Sequence, residues 1–175
     1  VIIDKDLTKQ LQKQEKERKK KEFFEKSEEQ YEPKVELPTC ILVDIDGTLA
    51  QRGSRDPYDF EKCGQDIIRA QVRYVSNLVK RDGQISVIIL TGREEKWRTI
   101  VEKWLADNEV EYDILLMRAL DDHRPDYVIK REIFDAKIRD KYRVFFIMDD
   151  RKQVKRMWVR MGLFVFDCNQ FDEVF

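Results

Sequence analysis

"ILVDIDGTLA", Ile41 to Ala50, is the stretch that decides the fold. An apolar run leads into two aspartates separated by one isoleucine, and a glycine and a threonine follow at once. A continuous apolar run, rather than an alternating one, suits a strand covered on both faces, as in a parallel sheet. Asp44 then closes a buried strand and is rigid and poorly hydrated. Asp46 points elsewhere because the chain is already leaving the strand. Gly47 lets the backbone turn, and the Thr48 hydroxyl can tie the loop down.

Runs of the same kind recur at Ile85–Leu90, Ile114–Met117, Val144–Met148 and Leu163–Phe166. Helical patterns lie between them, at Gly64–Arg81, Glu94–Asp107, Pro125–Arg139 and Arg151–Met161. Pro125 suits a first helical turn, and Gly162 a helix stop. Five strands alternating with four helices predict an α/β protein, a three-layer α/β/α sandwich with a central parallel five-stranded sheet. Right-handed crossovers bring the strand C-terminal ends to one edge, where such sheets bind ligands.

The residues expected at that edge carry a chemistry. Asp44 closes the first strand, Thr91 and Arg93 follow the second, and Asp149 and Asp150 close the fourth. Lys130 lies on the helix between the third and fourth. Clustered carboxylates repel and raise one another's pKa unless a cation sits among them. A hard divalent ion such as Mg²⁺ resolves this, since it takes oxygen ligands and needs few carboxylates beside waters and a substrate phosphate. A hydroxyl, a guanidinium and an ammonium suit phosphoryl oxygens. The class that follows is phosphoryl transfer: a carboxylate attacks phosphorus, and water releases phosphate from the aspartyl-phosphate. Each piece alone has a plainer reading, as a turn, a helix cap or a solvated lysine. All four in order, three of them at expected strand ends, favour the joint one.

The order DxDGT, strand-Thr, Lys, DD resembles the haloacid dehalogenase superfamily of phosphotransferases. Within it, "VDIDGTLAQRGSRDPYDFEKCGQDI", Thr91-Gly92-Arg93, Asp126 with Lys130 to Phe134, and Asp149-Asp150-Arg151 through Met157-Trp158 to Gly162 resemble the 3′-phosphatase domain of phage polynucleotide kinase-phosphatases. The resemblance covers residues 39 to 166. It implies that Asp44 is nucleophile and Mg²⁺ ligand, and that Asp46 is general acid/base and ligates through its backbone carbonyl. It implies that Asp149 and Asp150 complete the metal site and that Thr91 and Lys130 hold the phosphate. Arg55 and Arg93 would bind substrate phosphate or backbone, and Asp126 would position Lys130 or Arg93.

The implied activity is a Mg²⁺-dependent polynucleotide 3′-phosphatase acting on DNA or RNA ends in end healing, one half of a kinase-phosphatase or the neighbour of a ligase domain. The intervals 51–84 and 91–130 leave no room for an inserted cap domain. An open site admits the end of a large molecule. A capless phosphoprotein phosphatase is the alternative enzyme, and a non-catalytic scaffold built on the charged N-terminal segment is the alternative outside catalysis.

That segment, residues 1–36, carries ten basic and ten acidic side chains. It reads as a helical arm or connector ahead of a phosphatase domain at 37–175, with Leu7, Leu11, Phe23, Phe24 and Tyr31 as a thin apolar face. An oligomer contact through Phe23 and Phe24 is one use for it. The chain of 175 residues has a formal net charge of −1, so no global field marks a nucleic-acid binder. Three dispersed cysteines, without metal-ligand spacing, read as reduced thiols of a cytoplasmic protein, in the host cytoplasm if phage-encoded. No apolar run approaches the ~20 residues of a membrane span, and no signal peptide is evident.

Overall fold

A computed structural model describes residues 13–15, 17–18, 30–56 and 59–169. The expected arm helix lies largely outside the described residues, as do Tyr58, Phe23 and Phe24; residues 13–15 and 17–18 are helical.

The apolar runs form strands β1 (Thr39–Val43), β4 (Ser86–Glu94), β5 (Ile114–Arg118), β6 (Arg143–Asp149) and β7 (Val165–Asp167). They make one sheet in the order β5-β4-β1-β6-β7, with every pairing parallel. Helices α1 (Ala70–Asp82), α2 (Arg98–Asp107), α3 (Asp126–Lys137) and α4 (Lys152–Arg160) join them. The alternation of side chains along a strand divides β1 between two cores. Ile41 and Val43 pack with Val101, Trp104 and Leu105 of α2; Cys40 and Leu42 pack with Phe134 of α3 and Trp158 of α4. Each such side chain contributes roughly 1.5–3 kcal/mol by leaving water. The expected three-layer α/β/α sandwich is therefore the observed one.

Two helix boundaries differ from expectation. Gly64–Arg69 does not begin α1. A 3-10 helix covers Phe60–Gln65, and Ile67–Ile68 form β3, which pairs antiparallel with β2 (Ala50–Gln51). Two adjacent β-branched residues favour this extended pairing. In the second case β4 runs on to Glu94, a 3-10 turn follows at Glu95–Trp97, and α2 starts at Arg98. Helix α4 ends as expected, with Gly162 at a φ of 81°.

Tyr31, expected on the arm, belongs to the packed unit. It is 6 % exposed, its ring meets Phe134 edge-on, and its hydroxyl donates to the Tyr142 carbonyl and accepts from the Val144 N–H. No described helix is long and apolar enough to cross a membrane.

β1 lies at the centre of the sheet. The chain leaves it toward β4 and β5, then returns through α3 to β6 on the other side. The crevice between the C-terminal ends of β1 and β6 is the point where such sheets take ligands.

Candidate active site

Register carries Asp44 to that crevice. Val43 pairs with Met148, and the Asp44 N–H donates to the Met148 carbonyl at 3.0 Å. Asp149 and Asp150 follow directly. One oxygen from each of Asp44, Asp149 and Asp150 can be chosen so that all lie within 4.8 Å of one another, and all three residues are buried. The β1 loop makes room for this. Gly47 has a φ of 82°, and a Cβ there would stand 1.9 Å from Asp150 Oδ2. Only glycine satisfies both demands. Thr48 is buried, with Oγ1 3.5 Å from Asp150 Oδ1.

Lys130 enters from α3 and is 1 % exposed. Its Nζ lies 2.7 Å from Asp44 Oδ1, 2.8 Å from Asp149 Oδ2 and 3.7 Å from Asp126 Oδ2. Burial works against the ammonium, but Asp149, Asp44 and Asp126 outweigh it and raise the pKa. One ammonium does not balance the cluster. Burial first, and then Asp149, Asp150 and Asp126, push the Asp44 carboxyl well up against the pull of Lys130. Burial and the charge of Asp149 push Asp150 up to about 6.

Asp46 faces the other way. Its carboxylate takes a two-bond clamp from Arg93, Nε to Oδ2 and Nη2 to Oδ1, both at 2.9 Å. Arg55 Nη2 adds a contact at 3.3 Å. Asp66 holds both arginines from behind, bidentate to Arg55 at 2.7 Å and accepting from Arg93 Nη2 at 2.7 Å. Phe60 lies beneath the two guanidinium groups. Burial acts to raise the Asp46 pKa, but Arg93 and then Arg55 outweigh it, and it falls below the usual carboxylate value.

Arg55 and Arg93, expected at substrate phosphate or backbone, turn to carboxylates of the chain. Both are buried, at 8 % and 0 % exposed, and their guanidinium groups hold Asp46 and Asp66, while Arg93 Nη1 is buried without a hydrogen-bond partner among the described residues. The Asp46 side chain lies outside the three-carboxylate group, and the ligand expected of this residue is its backbone carbonyl. Thr91 is fully buried at the end of the apolar part of β4, where its Oγ1 accepts from the Arg93 N–H. Asp126 tucks under the β4 loop: a Cβ on Gly92 would stand 2.1 Å from its Oδ1. It meets Arg118 at 3.2 Å and Arg151 at 3.5 Å as well as Lys130.

Four participants were given no part at the site by the sequence reading: Asp66, Trp104, Arg118 and Arg151. The Trp104 indole N–H donates to the Asp66 carbonyl at 2.8 Å. Asp66 had a signal, a lone acid ahead of two β-branched residues, but the helical reading of Gly64–Arg81 absorbed it.

One side of the arrangement sets two cations against two carboxylates, and the other carries an excess of carboxylates. Comparison with known proteins places the chain in a family. Residues 38–172 match the family described as the polynucleotide kinase PNKP phosphatase domain. The chain belongs to this phosphatase family. It is 39 % identical to a chain in the structure of the Pnkp1/Rnl/Hen1 RNA repair complex, with a TM-score of 0.78 over 81 % of this chain and 46 % of that one. A viral relative, a protein of Autographa californica nuclear polyhedrosis virus inferred to be a bifunctional polynucleotide kinase/RNA ligase, is 33 % identical over 127 residues. That match covers 70 % of this chain and 18 % of the viral one. An uncharacterized Listeria monocytogenes protein shares the fold at 14 % identity and a TM-score of 0.56, covering 77 % of this chain and 83 % of that one. The chain thus spans half or less of the length of the polynucleotide-repair relatives it matches.

Proposed function

We propose that this protein is a Mg²⁺-dependent 3′-phosphatase of polynucleotide ends, working in RNA repair beside kinase or ligase activities like those of its relatives. The observation that carries the reading is Asp44, seated between Lys130 at 2.7 Å and the Asp149–Asp150 pair at the open end of the central strand.

The donor set suits the ion. Three carboxylates supply oxygen only, and burial together with the neighbouring carboxylates raises the pKa of Asp44 and of Asp150. Asp44, Asp149 and Asp150 would hold Mg²⁺, with the Asp46 backbone carbonyl as a further ligand. When bound, the ion supplies positive charge to the phosphoryl oxygens and to the nucleophile.

The chain's own residues do the rest. The Asp44 carboxylate attacks phosphorus. The bond to the nucleoside 3′-oxygen breaks, and that oxygen takes a proton from Asp46. Lys130 and Thr91 face the phosphoryl oxygens and stabilise the charge that builds on them. Water then attacks the aspartyl-phosphate, gives its proton to Asp46, and phosphate leaves. Arg93 and Arg55 favour the ionised form of Asp46, which is the form the second step needs. In this scheme the two arginines act on Asp46 rather than on substrate, and Asp126 positions Lys130.

The test is phosphate release in Mg²⁺ from 3′-phosphorylated RNA and DNA oligonucleotides, set against phosphopeptides. Release from oligonucleotide 3′ ends is expected. Activity confined to phosphopeptides would sink the reading.

A further inference from the structure

Cations on the helices of this protein generally stand beside acids. On α2, Arg98 pairs with Glu95 and, at 3.1 Å, with Glu102, while Lys103 meets Asp107 at 2.7 Å. On α3, Arg131 meets Asp135 at 2.7 Å, and Arg139 just beyond the helix reaches the same carboxylate at 2.8 Å.

Helix α4 breaks the pattern. Its sequence, KQVKRMWVR, contains no acid. Lys155 pairs outside the helix, with Asp167 of β7. Lys152 and Arg156 have no ion-pair partner among the described residues. Lys152 also occupies the first turn, where the positive end of the helix dipole disfavours a cation by about 0.3–1 kcal/mol. Neither an ion pair nor the helix dipole accounts for Lys152, and no ion pair accounts for Arg156.

Their position gives them another use. The buried face of α4 is Val154, Met157 and Trp158, continued by Met161. Lys152, Arg156 and Arg160 lie on the exposed side at intervals of one helical turn. The helix starts two residues after Asp150, so this stripe begins at the rim of the site and leads away from it. Four residues advance about 6 Å along a helix, a distance comparable to the step between phosphates of an extended strand.

We infer that Lys152 and Arg156 form a track for the phosphate backbone of a single-stranded polynucleotide whose 3′ end lies at Asp44. The inference rests on the 3′-phosphatase reading and extends it to how substrate length is sensed. Charged donors on such a track bind phosphates without regard to base, so affinity grows with strand length and falls with salt. Each phosphate so held on a single strand contributes about −0.7 to the slope of log affinity against log salt.

The experiment compares wild type with the double variant Lys152→Gln/Arg156→Gln. Phosphate release is followed from a nucleoside 3′-monophosphate and from a 3′-phosphorylated ten-nucleotide single strand, over a range of salt. Wild type is expected to show a KM about tenfold lower for the long substrate at low salt. The variant should keep its rate on the mononucleotide within about twofold, lose the length advantage, and show a salt slope shallower by about 1.4. Three outcomes overturn the track alone: unchanged kinetics on the ten-nucleotide strand, an equal loss on both substrates, or a loss on phosphopeptides but not on the strand. Absence of wild-type activity on every 3′-phosphorylated nucleotide overturns the 3′-phosphatase reading, and the track with it.

Discussion

Asp44 and Asp46 stand two residues apart and meet opposite surroundings. Around Asp44, the carboxylates of Asp126, Asp149 and Asp150 share one buried ammonium, with Arg151 at their edge. Around Asp46, two arginines face two carboxylates, its own and that of Asp66. The first cluster carries an excess of negative charge that an external cation can relieve. The second is balanced within the chain. One turn of loop thus separates a carboxylate group that is incomplete by charge from one that is balanced, and only the first has carboxylates grouped as a cation would need.

The largest way to break the comparison is at its centre. Asp44→Asn removes the proposed nucleophile and should lower kcat by about 10⁴-fold or more, with Mg²⁺ unable to restore it. Full turnover by this variant would remove the role from Asp44.

Stability separates the two sides next. Lys130→Met leaves the carboxylates without their ammonium and should cost about 3–5 kcal/mol, since a buried charge has lost its partner. A divalent ion should recover part of that loss, because it supplies the missing sign of charge. Asp66→Asn, which leaves Arg55 and Arg93 underpartnered, should cost about 3 kcal/mol and gain nothing from the ion. Melting curves with Mg²⁺ and with chelator test the pair. Equal rescue of both variants would mean that the two sides are not electrically distinct.

The smallest effect is in pH. The folded pKa values of Asp44 and Asp150 are raised, that of Asp150 to about 6. The native state therefore holds protons that the unfolded chain has released. Their stabilisation is complete below about pH 4, the ordinary carboxylate range, and fades as pH rises through the folded values. Asp46 is lowered, so its contribution is lost only on acidification below that range. In chelator, wild type should lose melting temperature relative to Asp150→Asn between pH 5 and 7, and Mg²⁺ should reverse the trend. A wild type that gains on the variant over that interval would contradict the assignment.

How much of this was legible follows from what each residue needs. The five sheet strands were, because each carries a continuous apolar run, even the exposed edge strand β7. Asp44, Lys130, Asp149 and Asp150 were, because strand ends and one helix suffice to bring them together. The orientation of Arg55 and Arg93 was not. A guanidinium after a strand can turn to substrate or inward, and only the position of Asp66 decides between them. Asp66 itself was hidden because Gly64–Ile68 reads acceptably as helix until β2 is there to pair with β3. Tyr31 was missed for a similar reason: its partners, Phe134 and the Tyr142 carbonyl, lie more than 100 residues away.

The register between β1 and β6 has a consequence for biogenesis. Asp44 is synthesised early, yet Lys130 and Asp149 come long after it, and β1 has no β6 to pair with until residue 149 has left the ribosome. Closing so long a loop is a late event in folding. Until β6 emerges, the nascent domain thus carries Asp44 as an ordinary solvated acid. The phosphatase comes into being only when nearly the whole domain has been made.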